Sequence, residues 1–426
     1  MEKNRTVGRA PTSSARLVLL VSAAVFINYI DRGNLATAAP LMQDELHLSA
    51  GQLGFLLSAF YYSYMLAMAP VGWLAERFGA HRVLGAGVAL WSIATLSVGF
   101  VSSFGALLGL RLLLGLGESV AFPCASKLLA QAVQPQRLSF ANGVMSCGYL
   151  LGPAVGTLLG GLLMNAFGWR PVFVLLGAVS VAWLWPWRRV VITRPDINVA
   201  PSVAAPSLRQ ILRQRALWSA AIGLFSANYA FYFILAWLPF YLVKVRGFSM
   251  DSMAWTASWA YLLNALFALL TGWVMDRALK AGRSVNLMHK GVMALNHVLV
   301  IVCMGAMVLL PAKGLIAALL VYEAMAGVAS PGLFAIPQIM AGPRAAARWV
   351  GVHNCVGASA GILAPAITGL LVERTGQFYG AFMLAAGVSV IGLIAWTLAL
   401  PPIAPIRWED ANEGGARAGR SATALP

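Results

Sequence analysis

The sequence predicts an all-α membrane protein with twelve transmembrane helices in two pseudo-symmetric six-helix bundles. Three observations lead there. First, 60% of the 426 residues are hydrophobic and only 10% are charged, whereas soluble domains are about a quarter charged. Second, apolar runs of about 20 residues, the length that crosses a bilayer as a helix, recur along the whole chain. Third, short stretches of the first half return in the second at a nearly constant offset.

The apolar runs and their breakers give spans at 16–40, 51–75, 82–101, 104–131, 137–165 and 169–190. After a polar stretch come 216–243, 252–275, 288–310, 314–340, 348–373 and 377–401. Gly and Pro inside them are tolerated because neighbouring helices re-satisfy the backbone. In the fifth span, Gly148, Gly152, Pro153 and Gly156 are expected to permit close helix packing. The break at 191–215, with Pro195, Pro201 and Pro206, divides the chain. The expected organisation is a bundle over 1–190, a linker over 191–215, a second bundle over 216–403 and a tail over 404–426. The tail is polar and Gly/Ala-rich and is expected to be disordered. No cleavable signal peptide is expected, because the first 16 residues are polar and basic and the apolar run after them is too long.

A net charge of +16 would fit a nucleic-acid partner, but its distribution excludes one. Of the 30 Lys and Arg residues, 22 fall on the side that holds both termini and the middle break. Five, Arg170, Lys244, Arg246, Lys313 and Arg374, fall on the other side. Arg32, Arg111 and Lys127 lie within spans. This is the positive-inside bias, so both termini are expected in the cytoplasm. The four cysteines, Cys124, Cys147, Cys303 and Cys355, lie in apolar stretches with neither CxxC spacing nor a His cluster. They read as packing residues, and no metal site is expected.

The repeat is specific. Gly72-Trp73-Leu74-Ala75-Glu76-Arg77 matches Gly272-Trp273-Val274-Met275-Asp276-Arg277 at an offset of 200 residues, and Asn28-Tyr29 matches Asn228-Tyr229 at the same offset. Gly143 to Cys147 echoes Gly351 to Cys355. Two equivalent bundles of this kind bracket a site near the bilayer midplane and rock around it.

Four ionisable residues, Asp31, Arg32, Arg111 and Glu118, lie inside spans, where a charge is costly and normally faces a bundle interior or wet cavity. Arg111 and Glu118 are seven residues apart and share one helix face, about 10 Å apart. Asp31 and Arg32 diverge by about 100°. With all four ionised the group is neutral. Protonating either acid leaves net positive charge and favours an incoming anion; releasing the proton restores the internal pairs and expels it. Arg suits the anion role, since its planar fork holds a carboxylate bidentately and stays charged. The competing reading is a static ion-pair network that only fixes packing, which is the weaker reading inside a membrane.

Gly72 to Leu84, GWLAERFGAHRVL, resembles the signature between helices 2 and 3 of the Major Facilitator Superfamily. Glu76 stands for the usual Asp, and Arg82 follows one position after His81. The resemblance implies that Gly72, Glu76, Arg77, Gly79 and Arg82, with Asp276 and Arg277 in the second copy, gate the conformational change. Within that superfamily, Asn28 to Leu35 and Arg111 to Glu118, followed by Pro123, resemble helices 1 and 4 of the anion:cation symporters. That resemblance implies that Arg32 and Arg111 bind the substrate carboxylate and that Glu118 carries the proton. Asp31 matches the acidic position beside the helix 1 arginine. Tyr29, Tyr61, Tyr62 and Tyr64, Asn228 with Tyr229 and Tyr232, and Asn354 in helix 11 are further pocket candidates. Glu323, the second half's only acid deep in a span, is open between a second proton site and a partner of a first-half arginine.

The implied function is proton-coupled import of an organic anion such as a sugar acid by alternating access. The protein is expected as a monomer in the inner (cytoplasmic) membrane, with no cofactor beyond the coupling proton. Helices 7 and 10, with Phe334, Pro337 and Gln338, depart from an obvious sugar-acid site and leave aromatic and dicarboxylic acids open. Drug/proton antiport is the alternative: Gly148 to Gly156 partly resembles the antiporter motif of helix 5, but its final Gly is Thr157, and two cavity arginines disfavour a cationic drug. A non-transporting membrane sensor is disfavoured by the absence of an attached soluble domain. An enzyme is disfavoured by the absence of paired His ligands, a nucleotide loop or a nucleophile motif.

Overall fold

The computed structural model describes residues 13–133, 135–190 and 206–408, and within them the chain is helical almost throughout. The first half contains α1 (Ser14–Leu46), α2 (Ala50–Arg77), α3 (Ala80–Val98), α4 (Phe104–Glu118), α5 (Ala121–Ala132), α6 (Pro135–Phe167) and α7 (Trp169–Trp187). The second contains the short α8 (Leu208–Leu212), α9 (Arg215–Phe240), α10 (Met250–Lys280), α11 (Val285–Leu309), α12 (Ala312–Thr375) and α13 (Tyr379–Ile394). Short π-helical turns extend α9 over Tyr241–Val245 and α13 over Ala395–Ala399. Eleven stretches are long and apolar enough to cross a membrane, and α2, with 28 residues, makes the twelfth.

Three local differences from the sequence reading have clear causes. The fourth span is broken at Ser119 and Val120 into α4 and α5. Pro123 has no N–H to offer the Ser119 carbonyl, and its ring crowds that group. The tenth and eleventh spans join in α12, whose direction changes at Gly342 (φ 68°, ψ 173°), a conformation that excludes most side chains. The tail expected to be disordered from residue 404 is packed as far as Trp408. The Ile406 amide donates to the Met340 carbonyl at 2.9 Å, and the Trp408 indole donates to the Ala341 carbonyl at 2.9 Å. Within the expected linker, Ile211 of α8 is buried and Arg348 donates to the Pro206 carbonyl at 2.7 Å. Residues 191–205 and 409–426 of the expected linker and tail, and residues 1–12, lie outside the described residues.

The apolar core is divided unevenly. One buried cluster spans both halves at the side away from the described chain ends, running from Met42 and Leu53 through Trp237 and Met253 to Phe382. On the chain-end side each half has its own cluster, around Trp91 and Leu129 in the first and around Trp349 and Ile336 in the second. Polar contacts follow the same division. Among the described residues, hydrogen bonds between halves join Lys244 to Asp44 and Asn165 to Asp251, all at the far side. Backbone meets backbone there too: a Cβ on Gly54 would lie 2.6 Å from the Pro365 carbonyl and 3.0 Å from the Gly369 Cα. The two halves are therefore sealed at the far side and separate toward the chain ends.

The glycines of α6 set the position of α1. A Cβ on Gly148 would lie 2.9 Å from the Ser22 carbonyl, and one on Gly156 would lie 3.0 Å from the Ile30 Cα. That close approach fixes the stretch of α1 that carries Tyr29, Asp31 and Arg32. Past it, α1 is anchored at its far end, where Glu45 accepts from the Trp169 indole at 2.6 Å and from Arg170 at 2.8 Å.

Candidate functional site

Arg32 and Arg111 reach one cavity between the halves. Its first-half wall is completed by Ala36 of α1 and by Leu57, Phe60 and Tyr61 of α2. Its second-half wall is Tyr232, Leu235 and Ala236 of α9.

Helical spacing explains the grouping. Tyr29 and Arg32 sit one turn apart on α1, and Phe60 and Tyr64 one turn apart on α2, so each pair shares a face. The Phe60 and Tyr64 rings stack at 5.2 Å between centroids. The Arg32 guanidinium carbon lies 4.6 Å from the Tyr29 ring centroid, 5.0 Å from that of Phe60 and 4.6 Å from that of Tyr64. Phe60 also faces Arg111, at 5.4 Å. One aromatic ring therefore supports both cations through its negative face. The backbone can come this close because α4 carries glycine where α2 and α3 approach. A side chain at Gly115 would collide with the Phe60 carbonyl, and one at Gly117 would lie 2.8 Å from the Trp91 nitrogen.

Arg32 donates through Nε to Glu118 Oε2 at 3.0 Å, and Glu118 is fully buried. Beside this bond several polar atoms lack a well-formed partner among the described residues: Arg32 Nη2, Arg111 Nε and Glu118 Oε1. Asp31 lies behind the cavity, buried beside Thr95 and Asn34 and within electrostatic reach of Glu118 and Arg111, yet neither carboxylate oxygen forms a good hydrogen bond. Asn28 is fully buried beside Glu118. Native interiors normally pair such groups. Among the described residues, Arg111 without a salt bridge, Arg32 bonded to Glu118 and the two buried carboxyls of Asp31 and Glu118 thus lie together.

Other expected pocket residues lie elsewhere. The Asn228 amide is committed to the Gly357 carbonyl at 2.9 Å and ties α9 to α12. Asn354 is half-buried beside His353 and does not line the cavity. Tyr62 is 40% exposed on the outer surface. Tyr229 is buried in the core, while Tyr232 lines the cavity with its ring 4.6 Å from that of Tyr61, closing the two halves over the site. Phe60 was not singled out in the sequence, because one phenylalanine in an apolar span carries no signal of its own. Its spacing from Tyr64 was the available clue. Glu323 has no arginine partner among the described residues; its Oε2 accepts from Asn264 of α10 at 2.8 Å, which removes the reading of an ion pair with the first half.

The signature loops lie on the chain-end side. Gly79 has φ 85°, and Arg77 and Arg82 are exposed. Trp187 donates to the His81 carbonyl at 3.1 Å, which holds the loop to α7. Arg77 covers the Trp73 ring at 5.3 Å, and in the second copy Arg277 covers the Trp273 ring at 3.9 Å. The repeat thus extends to matching cation–aromatic pairs. The side chains of Glu76 and Asp276, and the surroundings of Gly72, lie outside what the structure describes.

The model of the Major Facilitator Superfamily matches residues 21–365. The chain is 30% identical over 404 residues to the hexuronate transporter of Bacillus subtilis (strain 168), covering 91% of this chain and 94% of the relative. It is 29% identical over 411 residues to a probable sulfoacetate transporter of Cupriavidus necator, covering 92% and 95%. A crystal structure of a bacterial homologue of the human lysosomal transporter Spinster, inward-facing and unoccupied, superposes with a TM-score of 0.78 at 20% identity, over 91% of this chain and 97% of that one. With its apolar helices in two halves around a charged central cavity, this chain belongs to the Major Facilitator Superfamily and is a multi-pass membrane transporter, not an enzyme.

Proposed function

We propose that the protein imports an organic anion together with a proton, by alternating access of the cavity between the two halves. The observation that carries this reading is that Arg32 and Arg111 share one cavity while Arg32 is bonded to the buried carboxyl of Glu118. Two relatives, a hexuronate transporter and a probable sulfoacetate transporter, agree with an anionic cargo.

The bond supplies the coupling. A proton on Glu118 removes the negative charge that Arg32 now faces. Arg32 and Arg111 then present two cationic forks to one anion, in surroundings where an unbalanced positive charge is costly. An anion and a proton therefore favour each other's binding. When Glu118 loses its proton it competes again for Arg32 and displaces the cargo. Asp31, close to Glu118 and Arg111, adds negative charge behind the site and keeps the empty cluster neutral.

In this reading the chain ends face the cytoplasm of an inner membrane, in line with the charge asymmetry, and the conformation opens inward. Each half then moves as a monomer's own rocking body, gated by the Gly72–Arg82 and Asp276–Arg277 segments. Uptake by proteoliposomes with an imposed pH gradient tests the proposal. Acidifying the outside drives accumulation of a radiolabelled organic acid, and Arg111→Ala abolishes it. Accumulation indifferent to the proton gradient, or efflux of organic cations instead, would end this reading.

A further inference from the structure

We infer that the cargo of this site is a carboxylate with an aromatic or aliphatic body, in preference to a polyhydroxylated sugar acid. The inference rests on the anion-transport reading above and narrows it.

Apart from the two arginines, the cavity wall is apolar or aromatic. Leu57, Phe60 and Ala36 face it from one half, and Leu235 and Ala236 from the other. Its uncharged hydrogen-bonding groups are the two phenols, Tyr61 and Tyr232. A hexuronate or hexonate carries several hydroxyls, and each loses water on entering. A hydroxyl with no replacement partner forfeits affinity, whereas a site built to read hydroxyls presents polar groups to them. The amides that could serve lie elsewhere. Asn228 donates to the Gly357 carbonyl and Asn264 to Glu323, and neither lines the cavity. Asn28 and Asn34 are fully buried and outside the cavity lining.

The shape agrees with the chemistry. The carboxylate end meets Arg32 and Arg111, which both lie over the Phe60 ring. The body of the cargo then extends along leucine and alanine side chains toward the tilted pair of Tyr61 and Tyr232. Small-molecule sites have this form, a predominantly apolar and aromatic wall with few polar anchors. A flat ring or a short alkyl chain buries its surface here without stranding a polar atom. The phenols add two polar points, enough for one ring substituent and too few for a sugar.

The test is a calorimetric titration of the purified full-length protein in detergent, at one pH and salt concentration. The probes are phenylpropanoate and hexanoate on one side, D-glucuronate and D-galactonate on the other. The expected result is that at least one of the first pair binds roughly tenfold more tightly than both sugar acids. Leu57→Asn and Leu235→Asn, each adding an amide to the wall, narrow that difference. A sugar acid binding as tightly as or more tightly than the apolar acids overturns the inference and leaves anion transport standing. Failure of every acid to bind, in protein whose thermal unfolding remains cooperative, overturns the inference and the anion reading together.

Discussion

Glu118 accepts from Arg32 Nε at 3.0 Å, while its second carboxylate oxygen has no well-formed partner among the described residues. The bond lies beneath a cavity that Arg32 shares with Arg111. It makes the state of one carboxyl group decide how much positive charge the cavity offers.

Glu118→Gln keeps the shape and removes the ability to gain or lose a proton. Exchange of labelled for unlabelled cargo across the membrane is expected to persist in this variant. Accumulation driven by a proton gradient is expected to fall by at least about tenfold. Parallel counterflow and uphill-uptake assays check this, and equal loss in both would remove Glu118 from coupling.

Arg111 has no acidic partner forming a salt bridge among the described residues, which suits it to the proposed role of holding the cargo's carboxylate. Arg111→Lys keeps the charge but loses the planar donor pair. Affinity is expected to fall by about tenfold with Lys and by more with Ala, equivalent to roughly 1.4 kcal/mol or more. Titration calorimetry reads both. If Lys and Ala weaken binding equally, the role of the fork is wrong.

The pH dependence follows from the order of charges. Under the proposed symport a proton taken up outside enters with the anion, and uptake is expected to rise as the outside is acidified, until the proton site is filled. It falls as the outside is made alkaline, because Glu118 then holds Arg32. Initial rates at fixed inside pH check the sign. Glu118→Gln is expected to flatten the profile, and a profile that keeps its slope in that variant would move the proton elsewhere.

Glu323 accepts from the Asn264 amide deep in the second half and is fully buried. A neutral amide can keep that contact, so Glu323→Gln is expected to fold and to transport within about threefold of the parent. Glu323→Ala leaves the Asn264 amide unpaired and is expected to lose about 1–3 kcal/mol of stability. Thermal unfolding in detergent compares the two. Loss of proton-driven uptake in the Gln variant alone would instead make Glu323 a second coupling site.

Much of this was legible in the sequence because a bilayer is a strict solvent. A spanning helix needs a long apolar run, so the spans could be counted, and Arg32, Arg111 and Glu118 stood out because they break such runs. The aromatic support around Arg32 was only partly legible. Tyrosines draw notice in a span, but Phe60 has the composition of any lipid-facing residue. Asn228 shows the opposite ambiguity: a polar residue in a membrane reads as functional, and an amide that donates to a carbonyl between helices, as Asn228 does to Gly357, satisfies the same constraint. Which side is sealed was not legible, since both arrangements of the halves use one sequence and differ only in which surfaces meet.

The seam at Gly54 and Gly369 is formed by main chain against main chain. Side-chain bonds flank this seam on the same face, Lys244 to Asp44 and Asn165 to Asp251, so the sealed mouth combines packed backbone with polar latches. It parts only when one whole bundle tilts away from the other. A bulky substitution such as Gly54→Leu would act as a doorstop, holding this seam apart and leaving the chamber reachable by reagents from the side that is now closed.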